Sequence, residues 1–259
     1  MSRARIARLR QAFELAADPP SLVRYARAAS RWAGSEPVEV RLRPLGGAPV
    51  RLRPGTTDAL VVHETFRDMV HAPPPEIAAR GVRRIVDLGA NIGLTAAHNA
   101  VCFPQARILA VELDPRNAAA ARAHTAPWAD RVEVLQGAVW TEDGEIGYAN
   151  ELGSEYAFRV APDGRATAPA LSPDTVLSHL DPGERVDFVK MDIEGVEAQL
   201  LSGPAARWTE RIDSISLQVH DPYTLEACAR DLEALGFAAR VEPRRADFLV
   251  AVRLASLPA

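Results

Sequence analysis

Lysine is nearly missing from this chain. Of its 30 basic residues one is lysine, Lys190, and arginine supplies the rest. With abundant alanine and proline, this is the mark of a high-GC coding background, and it draws attention to the site of the one lysine. Cysteine is scarce as well. Cys102 and Cys228 lie far apart with no CxxC and no metal spacing, which excludes a disulfide framework and predicts two buried free thiols in a reducing, cytoplasmic setting. No stretch approaches the roughly 20 apolar residues of a membrane span. A basic excess is also lacking: the net charge of −4 speaks against a surface that coats nucleic acid.

What is present has ordinary globular proportions, with 47% hydrophobic and 25% charged residues over 259 positions, enough for one sizeable domain with an N-terminal appendage. Residues 2–17 place Ile6, Leu9, Phe13 and Leu15 on one helical side and arginines on the other, a basic amphipathic helix suited to a lid or a homodimer contact. A second helix follows "DPPS", and "VEVRLRPLGGAPVRLRP" reads as a β-hairpin around Leu-Gly-Gly. "TTDALVVHETFRDMV" reads as a helix capped by Thr57 or Asp58. The proline run at 72–76 marks a boundary, giving an extension over 1–75 and a second unit over 76–259. From Arg84 onward strands and helices alternate: "RIVDL", "RILAVEL", "RVEVLQGAVW", "RVDFVKMDI", "IDSISLQVH" and "DFLVAVRL" as strands with helices between, and a small β insertion at 144–170. Alternation of this kind predicts a doubly wound, mostly parallel α/β sheet.

Ligands of such sheets sit beyond the carboxyl ends of the strands. The first such end reads "VDLGANIG". Gly89 permits a tight turn and Gly93 a close start of the next helix. A diphosphate site needs G-x-G-x-x-G; here the pattern is G-x-N-x-G with Asp87 beside it, and a carboxylate repels phosphate but attracts a cation. About 20 residues on, the next strand ends at Glu112, placed to take two ribose hydroxyls. Leu113 and Ala138 are positioned to border a base. Two acids, a glycine turn and no phosphate cradle together describe a site for S-adenosylmethionine, with Asp87, Gly89, Ala90, Asn91, Gly93, Glu112, Leu113, Ala138 and Asp192 as its candidates.

The second constellation is "VDFVKMDIEGVEAQLL", where the lone lysine lies among Asp187, Asp192, Glu194 and Glu197. Strand alternation puts Lys190 and Asp192 on one side of the pleat, and opposite charges on a buried strand are costly unless used. Glu197 is read as simply favouring a helix N-terminus. The histidines at 63, 71, 98, 124 and 179 show no metal spacing and are read as structural.

"VDLGANIGLTA", "AVELDP", "RVEVLQGAVW" and above all "VDFVKMDIEGVEAQLLSG" resemble the FkbM family of S-adenosylmethionine-dependent methyltransferases over about residues 55–220. The resemblance implies a class I (Rossmann-like) fold with a seven-stranded sheet whose final strand is antiparallel, and O-methylation of a hydroxyl on a natural product or sugar. It departs at Gln218, where the family commonly has Glu. Transfer to a hydroxyl needs alignment and a group to take the proton. Lys190, Asp192 and His220 are the catalytic candidates: His220 as base, Asp192 to orient the acceptor, hold the ammonium, or bind a divalent ion with Asp221, and Lys190 to stabilise an alkoxide or fix Asp192. Magnesium is compatible with these acids, but no residue pattern supports it. Two other classes stay open: a catalytically silent nucleoside-binding module, and a nicotinamide oxidoreductase, against which the missing phosphate loop counts. A nucleic-acid substrate is disfavoured by the charge and by the lack of an Asn/Asp-Pro-Pro-Tyr/Phe motif.

Overall fold

The computed structural model describes residues 13–29, 36–69, 71–149, 159–160, 164, 166–180 and 183–257. Ile6 and Leu9 of the expected first helix lie outside them. Helix α1 (Pro19–Ala28) starts where Asp18 accepts a hydrogen bond from the Ser21 backbone N–H at 2.7 Å. Strands β1 (Val38–Arg41) and β2 (Pro49–Leu52) pair antiparallel around Gly46 and Gly47, both at positive φ. The inward side chains Val40, Leu42, Val50 and Leu52 are fully buried and share a core with Ile92, Leu94 and Ala97.

Helix α2 (Asp58–His63) runs on as a π turn over Glu64–Asp68. Thr57 is the N-cap residue, one of the two expected, but makes no side-chain capping bond; the Asp58 carboxylate is taken by Arg53, through its backbone N–H at 2.8 Å and its guanidinium at 2.7 Å. Such a charge-assisted, two-oxygen pair is stronger than a neutral hydrogen bond. Arg53 also donates to Asn117 Oδ1 at 2.9 Å, which ties this helix to the sheet unit.

After the short α3 (Pro75–Ala78) come β3 (Arg84–Leu88), α4 (Leu94–Cys102), β4 (Arg107–Glu112), α5 (Pro115–Thr125) and β5 (Val132–Gln136). Asp114 caps α5 as expected, accepting from the backbone N–H groups of Arg116 and Asn117. The insertion forms a separate sheet of β6 (Ala138–Val139), β7 (Gly144–Ala149), β8 (Arg159–Val160) and β9 (Ala166–Leu171), ordered β6-β9-β7-β8. The chain then gives α6 (Pro173–Ser178), β10 (Phe188–Met191), α7 (Glu197–Leu201), β11 (Ser214–Gln218), α8 (Leu225–Ala234), β12 (Phe237–Val241) and β13 (Phe248–Arg253).

The main sheet has seven strands in the order β12-β13-β11-β10-β3-β4-β5. The expected class I sheet is present: β13 runs antiparallel to both neighbours, and the pairs from β11 through β10, β3 and β4 to β5 are parallel. Buried side chains such as Ile85, Val86, Leu109, Val189 and Ile215 fall on both faces, as in a sheet covered twice. Strand order reverses between β3 and β10, which sets Lys190 beside Asp87 in register. Two expectations need correction. Strand β12 was not anticipated, since "FAARV" alternates poorly and forms a half-exposed edge. Cys102 is exposed rather than buried, because it ends α4 on its solvent side. No helix among the described residues is long and apolar enough to cross a membrane.

Candidate active site

A cleft of about 320 Å³ opens over the carboxyl ends of β3, β4 and β10. It is lined by Gly89, Ala90, Asn91, Glu112, Leu113, Ala138, Lys190 and Asp192, so eight of the expected positions meet in one place.

The glycine loop forms the floor. Gly89, at φ +79°, lies so close to the next strand that an added Cβ would fall 1.8 Å from the Asp192 carbonyl oxygen. The Gly89 and Ala90 N–H groups both donate to the Val111 carbonyl at 2.9 Å. Asn91 is also left-handed, at φ 51°, a conformation Asn tolerates. Its side chain turns back to accept from the Ile92 N–H at 2.7 Å, so the middle position presents backbone to the cleft. Gly93 does not line the cleft. Its tight neighbour is Ala121 of α5, 2.7 Å from a built Cβ, rather than its own strand as expected.

Glu112 is pinned before any ligand arrives. Its two oxygens accept from the Asn91 N–H at 2.7 Å and the Asp114 N–H at 2.9 Å, and each keeps a second lone pair. Burial pushes its carboxyl up to about 7, against these two N–H groups and Lys190, which pull it down.

Asp87 also lies off the cleft wall. It has no exposed surface, and its counter-charge is Lys190 Nζ at 3.3 Å. Lys190, itself buried, donates to the Gly89 carbonyl and lies 3.9 Å from Asp192. Burial works to lower the ammonium's pKa, but Asp87 and Asp192 outweigh it and raise it overall. The lone lysine therefore neutralises the buried acid and holds the glycine loop.

Asp192, a quarter exposed, is the centre of the far end. His220 Nε2 is 3.7 Å from Asp192 Oδ1 and 3.6 Å from Glu194 Oε2. Its Nδ1 is 2.8 Å from Glu197 Oε1. Burial pulls the His220 pKa down, yet the bond to Glu197 and the charges of Glu197, Asp192 and Glu194 raise it overall. Glu197 opens α7, the helix-start position expected of it, and its carboxylate accepts from the Gly195 N–H at 3.2 Å; fully buried, it is also the partner of His220.

A family model described as the methyltransferase FkbM domain matches residues 87–240. The chain belongs to the FkbM methyltransferase family. Membership implies S-adenosylmethionine-dependent methyl transfer, and the match reaches further downstream than the resemblance in the sequence, taking in most of β12. Curated proteins give no match. Among solved structures the chain is similar to precorrin-6y C5,15-methyltransferase from Geobacter metallireducens GS-15, at 16% identity and a TM-score of 0.41 over 68% of this chain and 85% of that one. It is also similar to an O-methyltransferase family protein from Burkholderia thailandensis, at 15% identity and a TM-score of 0.44 over 76% and 58%.

In this FkbM methyltransferase the upper wall comes from outside the matched domain. Leu60, Val61, Glu64, Thr65 and His71 line the cleft. The first four repeat at i and i+4 along one helix face, a signal that was legible in the sequence. His71, read there as structural, points Nε2 at Asp192 Oδ2 from 3.8 Å. Burial pushes its imidazole down to about 3, so it is neutral. Arg245 closes the mouth by bonding Glu64 at 3.1 Å and Asp247 at 2.8 Å. The departure at Gln218 has its reason here: its amide donates to Asp247 at 2.9 Å, where a second carboxylate would be repelled.

Proposed function

We propose that this FkbM methyltransferase transfers a methyl group to a hydroxyl of a small molecule, a natural product or sugar, in the reducing cytoplasm that two free cysteines suggest. The observation that carries the reading is the division of one cleft. Backbone, Glu112 and apolar Leu113, Ala138 and Val139 form one end, and Asp192 with its charged and imidazole neighbours forms the other. A volume of about 320 Å³ is within the range of small-molecule sites, and the preset Glu112 carboxylate with its spare lone pairs fits a ribose diol better than a phosphate.

S-adenosylmethionine, when bound, supplies an electrophilic methyl on a sulfonium. The chain's own residues do the rest. Glu112 would accept hydrogen bonds from the two ribose hydroxyls, and the loop backbone around Gly89 would hold the nucleoside. Lys190 is a positioning residue that fixes the loop and Asp192. Asp192 orients the acceptor hydroxyl, and its cluster with His220 handles the charge left as the proton departs. The roof, residues 58–71 with Arg245, shapes the acceptor site.

The test is label transfer from methyl-labelled S-adenosylmethionine to a panel of hydroxylated sugars, glycosides and polyketides, with the product's new bond located by mass spectrometry. Label on oxygen supports the reading; label only on nitrogen or carbon, or none while the cofactor binds tightly, ends it. Asp192→Asn should lower turnover by at least about tenfold, with S-adenosylhomocysteine affinity little changed. Undiminished turnover would remove Asp192 from its role.

Glu112 sets a pH signature. Two hydroxyl donors favour the ionised carboxylate, whose pKa before binding is about 7. Affinity for S-adenosylhomocysteine should therefore be full above pH 8 and fall as protons load Glu112. The loss by pH 6 is about tenfold. Calorimetry across this range checks it, and Glu112→Gln should bind weakly with a flattened profile.

A further inference from the structure

We infer that Asp192, Glu194 and His220 form a binding site for one divalent first-row transition ion at the acceptor end of the cleft. One ligand atom from each lies within 4.8 Å of the other two. The imidazole Nε2 stands 3.7 Å and 3.6 Å from the two carboxylate oxygens, too far for hydrogen bonds. Such spacing seats an ion at the ~2.0–2.2 Å of imidazole and carboxylate ligation. The other ring nitrogen is held at 2.8 Å by Glu197. A carboxylate there keeps the proton on Nδ1 and turns the Nε2 lone pair toward the acids, which is the support that ligating histidines receive.

A second observation comes from a different part of the chain. His71 is 8% exposed and its Nδ1 has no hydrogen-bond partner among the described residues. Its Nε2 faces Asp192 Oδ2 across 3.8 Å, a gap that an oxygen carried by the ion would bridge. Lys190 does not fill this role, since its ammonium is engaged with Asp87 and the Gly89 carbonyl. Two oxygens and one imidazole nitrogen favour Mn²⁺, Fe²⁺, Co²⁺ or Zn²⁺ over Mg²⁺. Three protein ligands leave positions open toward the cleft, as catalytic metal sites do.

This deepens the O-methylation reading and, for the ion's role, rests on it. The ion would bind the acceptor oxygen and hold the negative charge left when its proton passes to solvent. Ion binding itself does not need that reading. Full-length protein stripped with chelator is titrated with Mn²⁺, followed by the spin resonance of the free ion, and with Co²⁺, followed by visible absorption. One ion per chain is expected, not displaced by a tenfold excess of Mg²⁺. Asp192→Asn and Glu194→Gln should weaken binding at least tenfold, and Glu197→Gln about 10–100-fold, with urea midpoints recorded to show that each variant folds. Lack of stoichiometric binding by either ion overturns the inference, as does undiminished binding in Asp192→Asn and Glu194→Gln. S-adenosylhomocysteine is titrated on the same stripped protein. Nucleoside binding without ion binding removes only this inference, whereas ion binding without nucleoside binding removes the cofactor reading and leaves the site.

Discussion

Replacing Lys190 with methionine should cost about 3–5 kcal/mol of folding stability, the largest effect expected of any single substitution outside the hydrophobic core. Methionine fills nearly the same volume, so packing is conserved while the charge disappears. The loss comes from what stays behind. Asp87 has no exposed surface, neither of its oxygens has a hydrogen-bond partner among the described residues, and its compensation is the ammonium 3.3 Å away. Urea unfolding at pH 7.5 measures the effect, and the double variant Asp87→Asn/Lys190→Met should recover most of it, because neither charge is then left alone. A single-variant loss under about 1 kcal/mol would show that the pair is neutral to folding. The pH dependence has a definite sign. Burial already raises the Asp87 pKa, with Lys190 opposing it. Without the lysine, the folded variant keeps a proton that the unfolded chain releases. Its stability therefore rises as the pH falls through the interval between the two pKa values.

Gly89→Ala should abolish nucleoside binding, weakening S-adenosylhomocysteine by about a hundredfold or more, a loss on the order of 3 kcal/mol. Two effects combine there. The residue sits at φ +79°, and its new Cβ would be 1.8 Å from the Asp192 carbonyl oxygen and 2.8 Å from its carbon. Those are backbone atoms of β10's end and cannot rotate aside. Relief requires β3 and β10 to part where the Asp192 N–H meets the Leu88 carbonyl at 3.0 Å, which carries the Asp192 side chain away from the cleft. Gly81→Ala is the control. It has a similar φ of +81° but nothing within 4 Å, so it bears only the backbone cost of about 1–2 kcal/mol and should bind normally. Equal binding in the two variants would mean that the close approach is not what the loop is for.

The sheet could be read from the chain because its signals are local. Strand β3 and helix α5 begin and end where "RIVDL" and "PRNAAAARAHT" do, one marked by a buried apolar run and the other by an acid cap followed by proline. Edge strand β12 is hard to read for the opposite reason: "FAARV" has no alternation and buries only Phe237. In the site, Glu112 and Asp192 were visible because an acid ending an apolar strand is unusual in itself. Asp87 was visible too, but its direction was not, since that depends on β10 lying beside β3 across more than a hundred residues of sequence. His71 and Arg245 carry no local mark. They become parts of one wall only when segments from both ends of the chain fold over the sheet.

The ion pair between Glu64 and Arg245 has a wider meaning. One partner precedes the family domain and the other follows it, so the segments flanking that domain clasp each other at the rim of the cleft. Changes made far out along either arm, such as fusions, truncations or altered hinge lengths, would be transmitted to the rim through which substrates pass. On the proposed function, preference among acceptors would then drift by remodelling the periphery while the proposed nucleoside seat beneath stays as it is.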